Sequence, residues 1–136
     1  MIEIFLFALS FLAYWGAIHN GFVIDDQEGI LQYDGKLQGW DFGRLTKWLW
    51  YRFFQKHPRR HHLFSVLIHS ANVILLYTFL GTLFPGNVAL YTSILFAIHP
   101  INVQSVAWAS ARGYPLGLFY SLLGLNILRI AFPIGG

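Results

Sequence analysis

The 136-residue chain contains no cysteine, and only 11% of its residues are charged. Without cysteine there is no disulfide framework, thiolate nucleophile or thiolate metal site, and the redox compartment is not legible. Any chemistry falls to Asp, Glu, His, Arg or Ser. So little charge beside 56% hydrophobic residues excludes an ordinary soluble domain. Acid is scarcer still: all six acidic residues lie within the first 41 positions, and none occurs from Phe42 onward. Internal repeats and low-complexity tracts are also missing.

What the chain has in quantity is long apolar runs, over residues 2–18, 62–84, 88–109 and 116–132. Each approaches the length that crosses a bilayer as a helix. The expected fold is all-α, a polytopic membrane protein of about four transmembrane helices forming one membrane domain over 1–136. A long interfacial loop, 19–61, separates the first two helices. A cleaved signal peptide is the rival for residues 2–18, but no basic segment precedes the run and no small-residue cleavage site follows it. Pro85-Gly86-Asn87 predicts a tight turn joining spans two and three into a hairpin. His99-Pro100 predicts a kink or restart in span three, and Ala111-Arg112-Gly113-Tyr114-Pro115 a further turn. Gly113, Gly117 and Ser121 recur at four-residue intervals, a small-residue face suited to close helix packing. Arg129 is expected to snorkel to the headgroups.

Seven of the nine Lys and Arg residues lie in the loop 19–61. In its second half Arg44, Lys47, Arg52, Lys56, Arg59 and Arg60 are interleaved with Trp40, Trp48, Trp50, Tyr51, Phe53 and Phe54. Rings beside cations suit a segment at headgroup level, with short interfacial helices around 41–55 and membrane lipids as partners. Nucleic acid is not an expected partner.

In span two, His62, Ser65, His69 and Asn72 recur at spacings of three and four, which places them on one helical face pointing into the bundle. Such a stripe serves either interhelical hydrogen bonds or a polar cavity. No metal is expected there, because His62 and His69 are two turns apart and no carboxylate completes a ligand set. Arg112, in the turn before span four, suits either bidentate phosphate binding or interfacial anchoring.

Asp25 and Asp26 follow Phe22-Val23-Ile24 just after the first span. An adjacent acidic pair fits first of all helix capping or a solvated loop, and after that general-base chemistry or a divalent cation held by the two carboxylates.

Three stretches, taken in order, carry a resemblance: Asn20-Gly21-Phe22-Val23-Ile24-Asp25-Asp26 after the first span, His62 to Asn72, and Phe96 to Trp108 around His99-Pro100. Together they resemble the amino-terminal part of the GT-C glycosyltransferases, in particular the tetratricopeptide-associated protein O-mannosyltransferases and their bacterial relatives. The resemblance implies a polyprenyl-phosphate sugar donor, an acidic catalytic motif at Asp25 and Asp26, and the family's His-Pro element and following arginine at His99, Pro100 and Arg112. His69, Arg59 and Arg60 join His99 and Arg112 as expected donor-phosphate contacts.

The chain departs from the family pattern at Gln104 and at Gly113-Tyr114, where relatives carry acids, and keeps only Tyr51-Arg52 of a tyrosine-arginine-proline stretch. Enzymes of that class also have many more membrane helices, so the expectation is a truncated or split enzyme with other membrane subunits as partners. The alternative is a non-catalytic scaffold subunit of a larger complex. The resemblance implies an extracytoplasmic loop 19–61, whereas the concentration of Lys and Arg favours the cytoplasm.

Overall fold

The computed structural model describes residues 1–23, 26, 30–31, 33–36, 39 and 42–132, the side chains of 42–44, 46 and 47 excepted. All regular structure among these residues is helical. Helix α1 spans Ile2–Ala13 and continues as a 3-10 turn over Trp15–His19. Helix α2 spans Phe42–Phe54, α3 Pro58–Leu80, α4 Gly86–Ile98, α5 Val103–Ala107 and α6 Gly113–Ala131. Short 3-10 segments at Pro100–Asn102 and Ser110–Arg112 link the last three.

Helix α3 is the hub, packing against α1, α4, α5 and α6. Two apolar centres hold it. Tyr14, Ile18, Val66 and Val106 form one, with Phe11 against it; Leu6, Val73 and Ala97 form the other. The polar stripe lies on the same inner side of α3: His62, Ser65, His69 and Asn72 are all buried.

Helix boundaries depart from the sequence reading where proline acts. Helix α3 begins at Pro58 rather than 62, because proline in a first turn has its φ preset and lacks an N–H that would go unused there. Pro85 is the N-cap of α4, and Gly86 and Asn87 open that helix. The reversal is therefore made by Gly81–Phe84, where the Gly81 and Phe84 N–H groups bond back to the Tyr77 and Leu80 carbonyls. Span three ends at Ile98: His99, preceding proline, is extended with ψ 129°, and the chain continues as short helical pieces.

Two helices, Pro58–Leu80 and Ser110–Ala131, are long and apolar enough to cross a membrane. Only 33% and 17% of their apolar windows are enclosed by the rest of the chain, unlike the core helix of a soluble protein. Helices α1 and α4 are apolar but run to 12 and 13 residues. Among the described residues, two helices rather than four have membrane-crossing length.

Two details of α6 also differ from expectation. Gly113, Gly117 and Ser121 lie on its outward side, and a Cβ on either glycine would meet nothing within 4 Å. The small-residue face is not used in this bundle. Arg129 turns inward and donates from Nη1 to the Thr78 carbonyl at 3.2 Å, near the C-terminus of α3, where a cation suits the helix dipole. Beside it Asn126 accepts from the Thr78 hydroxyl at 3.0 Å and donates to the Leu75 carbonyl at 3.0 Å.

Candidate functional site

The polar residues divide into two clusters. The first forms where the polar loop meets α2, α3 and the Ser110–Arg112 turn. Asp26 is fully buried, and both its carboxylate oxygens are engaged: Oδ2 accepts the Val23 N–H at 3.1 Å and Oδ1 the Ser110 N–H at 2.7 Å. Asp26 also donates its own N–H to the Val23 carbonyl at 2.9 Å, closing a reciprocal turn. One carboxylate thus joins two segments 84 residues apart and caps the turn that carries Arg112.

Arg112 is half-buried. Its Nη1 donates to the Ala109 carbonyl at 3.0 Å, and its guanidinium lies 5.4 Å from the centre of the Trp50 ring, within cation–π range. The Asp26 carboxylate is near enough to act on it electrostatically. Among the described residues the two charges form no direct ion pair, and the hydrogen-bonded link between them runs through the backbone of the turn.

Helix α2 closes the cluster from outside. Trp50 and Phe54 stack at 4.9 Å and both pack on Phe64, at 4.3 and 5.5 Å. His61 sits between Phe22 and Phe54 and pairs through Nε2 with the Gln55 carbonyl at 2.9 Å. That carbonyl is presented by an unusual backbone: Gln55 has φ +51°, a left-handed conformation that ends α2. His62 approaches the Gly21 carbonyl at 3.4 Å. The Nδ1 atoms of His61 and His62 are buried without a hydrogen-bond partner.

The second cluster lies deeper in the bundle. The His69 ring packs between Tyr14 and Phe96, at 5.1 and 5.2 Å, with Nε2 3.4 Å from the Ala97 carbonyl. The Tyr14 hydroxyl donates to the His99 carbonyl at 2.9 Å. His99 itself is exposed, and its Nδ1 accepts the Ile101 N–H at 3.2 Å, capping the turn after the break. A neutral imidazole accepting at Nδ1 carries its proton on Nε2.

The structure therefore brings Asp26 and Arg112 to one place and puts the His69 ring elsewhere, as an enclosed interhelical contact. Arg59 and Arg60 lie exposed in the first turn of α3. Asp25 lies outside the described residues. Among the described residues no group of three His, Cys, Asp or Glu side chains could hold a metal ion, and the expected cation position at Asp25 and Asp26 falls partly outside those residues. Sequence reasoning passed over His61, the last position of the loop 19–61, and the Ser110 N–H, which no side-chain pattern announces. The His61–His62 adjacency, straddling two faces of one helix, was the available signal for the first.

No family model matches the chain, and no solved structure matches it. A protein O-mannosyl-transferase from Caenorhabditis elegans is 28% identical over 149 residues, covering 88% of this chain and 22% of the relative. The chain thus spans about a fifth of the length of that curated relative.

Proposed function

We propose that this chain is a membrane glycosyltransferase module of the GT-C type, using a polyprenyl-phosphate-linked sugar at the extracytoplasmic face and completed by further membrane segments or subunits. The distant likeness to an O-mannosyl-transferase supports transfer of a sugar. The observation that carries the reading is the Asp26–Ser110 hydrogen bond, which holds the acidic loop against the turn bearing Arg112.

In this reading an acceptor hydroxyl gives its proton to the Asp25 carboxylate and its oxygen attacks the anomeric carbon of the sugar. The bond from that carbon to the donor's phosphate oxygen breaks, and the charge left on the phosphate is met by Arg112, with Arg59, Arg60 and the Nε2–H of His99 as further donors. Asp26 keeps the Arg112 turn in place. In this reading α3 and α6 cross the membrane, and α1 with its 3-10 extension, together about 28 Å long and so close to the hydrocarbon thickness, makes a further crossing. Loop 19–61 is placed outside the cytoplasm.

The test is transfer from polyprenyl-phosphate mannose in membranes containing the protein and its partners. Asp25→Asn and Arg112→Ala should each abolish transfer while the protein stays folded, and unchanged transfer in both would end the proposal. A second reading, a non-catalytic scaffold subunit, draws on Asp26 itself, since a carboxylate taken up by two backbone N–H groups serves structure. Mass measurement of the complex in mild detergent separates the two: a stoichiometric partner devoid of glycosyltransferase motifs favours the scaffold.

A further inference from the structure

Helix α2 has two unlike sides. Trp50 and Phe54 face inward onto Phe64, and Tyr51 meets Tyr33 at 5.3 Å. Leu49 and Phe53 face outward, Phe53 with 69% of its surface exposed, and Arg52 is exposed beside them. Residues 49, 52 and 53 share one side by helical spacing. Lys56, Arg59 and Arg60, all exposed, follow at once. Nothing described balances these four cations: the ion pair found among the described residues is that of the Met1 amino group with Glu3, and the sequence holds no acid after Asp41.

We propose that this outward face of α2, with the start of α3, rests on the anionic phospholipid surface of the bilayer. Two observations identify the occupant. The face combines bulky apolar side chains with a cationic rim, which matches acyl chains beneath anionic headgroups. Arg59 and Arg60 also occupy the first turn of a 23-residue helix long and apolar enough to cross a membrane, and the end of such a helix lies at headgroup depth. The inference does not require sugar transfer, although it assigns to headgroups the Arg59 and Arg60 that the proposed function also sets near the donor phosphate. It bears on the candidate site all the same, because the inner side of α2 holds Trp50 against Arg112, so the depth at which α2 rests sets the depth of that guanidinium.

The absence of cysteine makes the test direct. The full chain carrying Phe53→Cys, or separately Leu49→Cys, is labelled with bimane and reconstituted in bilayers containing brominated phosphatidylcholine or brominated phosphatidylglycerol. Quenching is expected from both lipids, with several-fold preference for phosphatidylglycerol. Arg52→Gln, Arg59→Gln and Arg60→Gln should each reduce that preference up to about fivefold, the factor equivalent to ~1 kcal/mol per surface cation. Added salt should reduce it in the labelled chain with all its arginines in place. Absence of quenching at both positions would mean that water or another protein covers the face, and would overturn the proposal. Equal quenching by the two lipids, or a preference that survives the triple substitution, would overturn its anionic part. So would loss of the preference on adding inorganic phosphate at constant ionic strength, which would indicate a discrete phosphate site.

Discussion

The Asp26 carboxylate accepts the backbone N–H of Ser110 at 2.7 Å, and this bond fastens the polar loop to the turn from which Arg112 projects. Asp26 thereby carries a structural role, and in the proposed function the base chemistry falls to Asp25.

A division of labour between the two acids predicts different phenotypes. Asp26→Asn turns an amide NH₂ toward at least one backbone N–H, leaving a buried donor unsatisfied at a cost of roughly 1–3 kcal/mol. Thermal unfolding in mild detergent should show that loss for Asp26→Asn and none for Asp25→Asn. Transfer should fall about 100-fold or more for Asp25→Asn, the scale of a lost general base.

Gln55 adopts φ +51° to end α2 and to present its carbonyl to His61. A non-glycine residue pays about 1 kcal/mol or more for that conformation. Gln55→Gly should raise stability, up to about 1 kcal/mol, with the His61 contact retained; an unfolding midpoint that drops would refute the assignment.

Thr78, Asn126 and Arg129 join α3 to α6. A double-mutant cycle with Thr78→Val and Asn126→Leu should give a coupling energy of about 0.6 kcal/mol, and under about 2, as found for polar contacts between membrane helices. Additive effects in reversible unfolding would mean that the hydroxyl and amide do not meet.

Pro100 ends α4 by forcing His99 into an extended conformation. Pro100→Ala removes that constraint, so the helix should run on toward Val103. Spin labels at the exposed positions Tyr91 and Val103 should approach the separation of about 18 Å expected for twelve residues of straight helix, measured by pulsed dipolar spectroscopy. An unchanged distance would assign the break to tertiary packing instead.

Much of this was legible in the sequence. The buried stripe on α3 follows from spacing alone, and the helix over 42–54 from its density of rings and cations. Backbone partners were not legible, because a carbonyl or an N–H is present at every position and leaves no mark in composition. That is why the Asp26–Ser110 bond was not foreseen, and why Arg129, with an acceptor at Thr78 that any residue would have supplied, read as a surface cation. The outward turn of Gly113 and Gly117 was invisible for a different reason: four-residue spacing defines a face, and nothing local says which way the face points. Proline, by contrast, acts on its own neighbours, so the break at His99-Pro100 could be anticipated even though its extent could not.

The inner stripe of α3 has a consequence for how this protein can diverge. His62, His69 and Asn72 reach the main-chain oxygens of Gly21, Ala97 and Pro115, each in a different segment packed around the hub. A side chain that reads only backbone places no demand on the identity of the residue it touches. Homologues should therefore hold these three positions while the residues at 21, 97 and 115 drift, so these polar contacts of α3 would leave no covarying pairs for a contact-prediction method to find.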